Sequence, residues 1–186
     1  MGNVAYNKTI LLYLMGFWGT LLLSDCSSNP KTTASLHTLY DGPVLDIDSV
    51  QTWYSDSAEL KIHLTAPKQL ELLNGNREFP KGVLVEFFKN GDSTKPSILK
   101  SNYAVMLKDK QVYKVTGNVL VENPTEQKKL TTESLFWSPV TKKISTTEQV
   151  IITTPKEVIK GIGMEASQDF SSYTIKQVTG ILQVGE

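Results

Sequence analysis

The chain is short of the residues that most enzymes and metal proteins use. It has one cysteine, Cys26, in 186 residues, so an intramolecular disulfide and a cysteine-built metal site are both excluded. It has two histidines, His37 and His63, too far apart in sequence to form a local metal-binding or triad motif. Lysine plus arginine equals aspartate plus glutamate, at 19 each. That balance lacks the basic excess of a nucleic-acid binder, so no nucleic-acid partner is expected. Between Val115 and Met164 no stretch has the apolar spacing of a long amphipathic helix.

What fills the chain instead is short runs of valine, isoleucine, threonine and aromatics, broken by proline, glycine, asparagine and aspartate. The clearest lie between Val115 and Met164. Val115–Glu122, Leu130–Trp137, Lys143–Thr146, Gln149–Thr153 and Val158–Met164 read as successive antiparallel strands. Upstream, Val44–Tyr54 and Leu60–Ala66 alternate apolar and polar residues. Val83–Phe88, Ser97–Lys108 and Gln111–Val115 continue the meander, with a tight turn at Asp109-Lys110. Gln69–Leu73 fits helix or strand. Asn90-Gly91-Asp92 is a hairpin signal, and Val178–Val184 a terminal edge strand. The expected class is all-β.

The pattern repeats. Val83-Leu84-Val85-Glu86 recurs as Val119-Leu120-Val121-Glu122 and loosely as Val150-Ile151-Ile152-Thr153. The copies stand roughly 30–35 residues apart, within the range of repeat architectures. Stacked two-stranded units would extend one sheet, each covering the face its neighbour leaves open. Val83, Val85 and Phe87 share one side of a strand, as do Val119 and Val121, and Val150 and Ile152. In register they form an apolar stripe. Two arrangements follow. A closed sandwich would bury the stripe as its core. A folded sheet left open would present it as a groove suited to acyl chains, since each buried methylene contributes about 0.8 kcal/mol.

Little here suits catalysis, and no enzyme activity or cofactor is expected. Glu133, Glu148, Glu157, Glu165 and Asp169 are a glycosidase pair only if two converge in space; solvated strand and turn charges are the plainer reading. Gly161 and Gly163 lack the rest of a dinucleotide fingerprint and suit a bulge or a close backbone approach. His63 falls on the polar side of its strand as a solvated residue. Trp53 and Trp137 read first as core residues, or else as sugar-stacking ones.

The N-terminus reads as a targeting segment. Lys8 precedes an apolar run from Ile10 to Leu23, too short for a comfortable membrane span. Leu23-Ser24-Asp25-Cys26 resembles a bacterial lipobox, with Asp25 departing from the usual small residue. Lipidation at Cys26 is the expectation; an uncleaved anchor or plain secretion is the alternative. The expected division is a signal peptide over 1–25, a polar lipid-anchored tether over 26–42, and a domain over 43–186.

Several motifs together resemble the LptC family and the wider OstA-like repeat. They are Gly117-Asn118-Val119, Leu130-x-Thr132-Glu133-x-Leu135-Phe136-Trp137, Lys142-Lys143-Ile144-x-Thr146 and Ile159-x-Gly161-x-Gly163. Tyr54-Ser55-Asp56, Ala66-Pro67 and Pro80-Lys81-Gly82-Val83 fit the same pattern. The resemblance covers about Val44 to Ile181. It implies a twisted open antiparallel β-jellyroll that binds lipopolysaccharide in the periplasm without a catalytic step. The implied groove residues are Val83, Val85, Phe87, Val119, Val121, Leu135, Ile144, Val150, Ile152 and Ile159. The implied partners are the LptF/LptG inner-membrane transporter and an LptA-like bridge protein, met edge to edge. The terminal strand would offer Val178, Ile181 and Leu182. The family's best-known members carry a transmembrane helix where this chain has Cys26; a lipid anchor in the inner membrane is the corresponding expectation. A glycan-binding β-sandwich lipoprotein of the envelope is the other reading.

Overall fold

The computed structural model describes Tyr40, residues 42–89 and residues 92–183. The expected signal peptide, Cys26 and most of the tether lie outside the described residues, as do Asn90 and Gly91 of the expected hairpin.

The described chain is all-β. Eleven strands follow in order: β1 (Leu45–Asp56), β2 (Glu59–Glu71), β3 (Arg77–Phe79), β4 (Val83–Lys89), β5 (Asp92–Ser101), β6 (Tyr103–Leu107), β7 (Val112–Asn123), β8 (Lys128–Ser138), β9 (Lys143–Thr153), β10 (Glu157–Ser167) and β11 (Tyr173–Gln183). Every pairing is antiparallel. β3 with β4, and β5 with β6, are the two halves of two long strands, so the sheet is one meander running from β1 to β11.

Several strand boundaries differ from the sequence expectation; β11, for one, begins at Tyr173 rather than Val178. Ser97–Lys108 is broken at Asn102. Gln111–Val115 joins the following segment as one strand, β7, and Lys143–Thr153 is likewise continuous as β9. The ambiguous Gln69–Leu73 is strand as far as Glu71. In β7 and β9 an irregularity of register sits inside the strand, where the sequence shows a lapse of alternation that reads as an end.

Those irregularities form a line. β3 and β4 separate at Pro80–Gly82, with Gly82 at φ +82°. β5 and β6 separate at Asn102, whose amide donates to the Gly117 carbonyl at 2.9 Å. The β7–β8 register shifts between Thr116 and Val119, where Gly117 and Asn118 have φ +77° and +50°. The β8–β9 register shifts between Thr132 and Phe136, and β9–β10 between Ile162 and Met164 around Gly163, at φ +70°. Neighbouring irregularities lie opposite one another in the ladders. Bulges increase local twist and bend, and a row of them creases the sheet. Thr132 and Thr146 meet backbone groups at the crease. Thr132 Oγ1 donates to the Gln149 carbonyl at 2.7 Å and Thr146 Oγ1 to the Ser134 carbonyl at 2.6 Å, as buried polar groups require.

The creased sheet folds over, one half facing the other, with its two border strands unpaired to each other. A front layer holds residues 62–65, 83–87, 97–101, 119–123, 128–132 and 150–153; a back layer holds 103–107, 112–116, 134–138, 143–146 and 164–167. Phe87 of β4 meets Trp137 of β8 edge to face, with ring centroids 5.3 Å apart. These strands are not neighbours in the sheet, so the contact crosses the interior. Period-2 alternation supplies the filling: β4 reads buried, half-buried, buried from Val83 to Phe87, and β8 and β9 show the same rhythm. The result is a twisted β-jellyroll with a crease on one side and a seam of hairpin turns on the other.

Candidate functional site

All ten expected groove residues lie inside. Val83, Val85, Phe87, Val119, Val121, Leu135, Ile144, Val150, Ile152 and Ile159 are buried in one apolar cluster. The stripe exists, and in this structure the facing layer fills it: Val121 is 0% exposed. The three expected edge residues are the reverse. Val178, Ile181 and Leu182 are all exposed on β11. No residue of β11 or of β1 is buried, and each of these strands pairs on one side, β11 with β10 and β1 with β2. Their outer backbone groups form the two free borders of the sheet among the described residues.

The seam is where the interior reaches the surface, and it differs along its length. One stretch is open. Between the β1–β2 hairpin and the β8–β9 turn lies a cavity of about 360 Å³, at the low end of small-molecule sites, which run roughly 300–1,000 Å³. Ile62 and Leu64 line it from the front layer, and Tyr113 and Trp137 from the back. Trp137 is also the residue that meets Phe87, so the wall of this mouth touches one end of the buried stripe. Tyr54 and Val140 stand at the lip, Val140 with 68% of its surface exposed. Lys61 and Lys142 also border the cavity; Lys61 is paired with Glu59 at 2.5 Å. Tyr113 stacks on Trp137 at 4.8 Å. Burial pushes the Tyr113 hydroxyl above its usual pKa, with the Arg77 charge opposing, so the wall stays uncharged.

The other stretch is shut. The β10–β11 turn reaches across to the front layer. The Asp169 carbonyl accepts from Ser97 Oγ at 2.7 Å and from Asn123 Nδ2 at 3.0 Å. Lys128 Nζ donates to the Ser171 carbonyl at 3.1 Å. Between them Phe170 is 0% exposed and stacks on Tyr173 at 5.5 Å. Its φ is +54°, a left-handed conformation that costs a non-glycine residue about 1–2 kcal/mol. Burial opposes ionisation of the Asp169 carboxyl. Hydrogen bonds from Ser167 and Ser171 and the Lys89 charge outweigh it and hold the group below its usual pKa.

The remaining candidates separate. Trp137 is a core residue, as read. Trp53 is not: it is 57% exposed on the outer face. It covers His63 with ring centroids 3.5 Å apart and planes 6° apart. His63 does lie on the polar side of β2, but it is covered rather than solvated; its Nδ1 is 2.7 Å from Glu86. Glu165 is paired with Lys143 and Asp169 with its own turn. Gly161 and Gly163 act as expected. A side chain at Gly161 would meet the Gln177 carbonyl at 2.7 Å, and the register shifts beside both residues. Sequence reasoning missed Phe170, Tyr113 and Val140. An apolar valine within the polar turn Ser138–Lys142 is the one local signal among them.

A family model described as "Lipopolysaccharide-assembly, LptC-related" matches residues 9–183 of the chain. No curated protein matches it.

Proposed function

The chain belongs to the LptC-related family of lipopolysaccharide-assembly proteins, and from that premise we propose that it is a lipid conduit loaded through the open stretch of its seam. Membership makes it a lipopolysaccharide-transport component associated with the periplasm and inner membrane. In the proposed route, lipopolysaccharide comes from the LptF/LptG transporter and leaves for an LptA-like bridge protein. Acyl chains enter between Ile62, Leu64, Tyr113 and Trp137, and then part the two layers along Val85, Phe87, Val121 and Ile152. Lys61 and Lys142 meet the lipid phosphates. The chain's own step is binding and release.

The observation that carries this reading is the apolar mouth itself. It is open to solvent, and Trp137 in its wall packs edge to face on Phe87 of the filled stripe. The mouth alone is smaller than a multi-chain lipid needs, so loading requires the layers to separate. That exchange is reasonable energetically, because each methylene that enters contributes about 0.8 kcal/mol and replaces contacts between valines and leucines of similar character. The free border of β11 suits strand addition to a partner. Val178→Pro places a proline on that border strand; the expected result is weaker bridge-protein capture with the circular-dichroism spectrum retained. The proposed anchor is a lipid on Cys26, which holds the domain at the inner membrane; mass spectrometry of the mature N-terminus checks it.

Trp53 favours a second reading, binding of a glycan on the outer face, because an exposed indole plane offers a stacking surface. Titration of the full chain with lipopolysaccharide and with its de-acylated form separates the two. The conduit binds the first and not the second. Equal binding of both supports the glycan reading.

A further inference from the structure

We propose that the β10–β11 turn, residues 168–172, is a latch on the seam, with Phe170 as its plug, and that its release admits acyl chains past the mouth into the interior. This rests on the conduit reading above and adds the element that controls it.

Three features set this turn apart from ordinary core. First, Phe170 is a fully buried side chain held by a turn rather than by a strand, in a left-handed backbone conformation. Strain of that kind persists only where surrounding contacts enforce it. Secondly, the contacts that hold the turn to the front layer are side-chain hydrogen bonds: Ser97 and Asn123 to the Asp169 carbonyl, and Lys128 to the Ser171 carbonyl. They cross the seam from two places on the front layer, β5 and the β7–β8 hairpin where Asn123 and Lys128 are paired. No backbone ladder joins the turn to β5, β7 or β8; its base is tied by Gln168 N to the Lys142 carbonyl at 3.0 Å, so residues 169–171 can lift about that base without breaking the sheet. Thirdly, the turn is tied to the mouth. Gln168 lines the open cavity, and its Oε1 accepts from Trp137 Nε1 at 3.2 Å. A chain that enters and displaces Trp137 therefore pulls on the residue two before the plug. The internal ties of the turn, Ser171 N and Oγ to Asp169 Oδ1, keep it compact as it moves. Latch and mouth thus form one mechanism in which filling the first space loosens the cover of the second.

The test uses the full chain with Cys26→Ser, so that an introduced Val121→Cys is the only thiol. The rate of alkylation at residue 121 reports opening of the seam without any lipid. Phe170→Gly removes the plug and suits the left-handed backbone. The expected result is alkylation at least tenfold faster, with circular dichroism unchanged. Ser97→Ala, which takes one donor from the Asp169 carbonyl and leaves the plug in place, should give a smaller acceleration and covers the case in which Phe170→Gly does not fold. In parallel, a photo-crosslinker at residue 121 follows arrival of purified lipopolysaccharide, which should also be faster in both latch variants. Unchanged alkylation in the folded variants overturns the latch, and crosslinking in the parent chain would then still leave the conduit standing. Faster alkylation with no crosslinking in any form overturns the conduit, and with it the latch as a gate for lipid.

Discussion

The open and shut stretches of the seam are built from the same parts and behave differently. In both, a back-layer hairpin turn faces front-layer strands. At the shut stretch the turn brings a carbonyl to two donors and an aromatic ring into the core. At the open one the turn brings Pro139 and an exposed Val140, and a cavity remains between them and the front layer. The lesson is that closure here is local. The crease joins the layers along one whole side, whereas on the other side a few side-chain bonds decide where the interior is sealed. A region that must admit ligand belongs at the weakly held end of a structure, and the mouth meets that description.

The contrast can be broken first by placing the same charge on each side of it. Val121→Asp puts an unpaired carboxylate into the closed interior. The expected loss is several kcal/mol, against a typical total of about 5–15 kcal/mol, so thermal melting should show global unfolding. Val140→Asp puts it at the lip, where stability should change by no more than about 0.5 kcal/mol while lipopolysaccharide binding falls. A folded, stable Val121→Asp protein would mean that the interior is wet.

The crease underlies both stretches, and Gly82 tests it. Its φ is +82°, and a Cβ there would stand 2.2 Å from the Ser101 carbonyl. Gly82→Ala should destabilise by more than about 1 kcal/mol, measured by urea titration, since both the conformation and the space are lost. The outer face provides a milder control. Trp53→Ala removes a ring that covers His63 but touches neither stretch of the seam; melting should shift little and lipid binding should hold. Loss of lipid binding in that variant would move the site to the outer face.

Acid gives the smallest effect and acts on the shut stretch. The Asp169 carboxyl is depressed in the folded chain. Its contribution is therefore full above the ordinary aspartate pKa of about 3.9 and is lost as pH falls through the lower folded value. The melting temperature of the parent chain should fall in that window, and that step should be missing in Asp169→Asn.

Much of this fold is legible in the sequence, because strand alternation is local. Val83–Phe87, Val119–Val121 and Val150–Ile152 each declare a buried side. Part of the crease is legible too: Gly82, Gly117 and Gly163 mark it, and the first two stand just before the repeated valine-rich runs. The seam is not legible. Its mouth gathers Ile62, Tyr113, Trp137 and Gln168, residues that only the twist between layers brings together. Nor does any local pattern show that the stripe is filled by its own opposite layer. Phe170 sits between polar residues in Gln168-Asp169-Phe170-Ser171, where an aromatic looks like part of an exposed turn until the partners of Asp169 are known.

The central claim is that lipid enters at the open stretch, from the inside face. A photo-crosslinking residue at Val140, on the lip, compared with one at Leu120, at the crease, where it borders two other hollows, tests it in living cells with a blot for lipopolysaccharide. Lipid entry at the open stretch gives a crosslinked band from residue 140 and none from residue 120. A band from residue 120 alone, or equal bands from both, would contradict it.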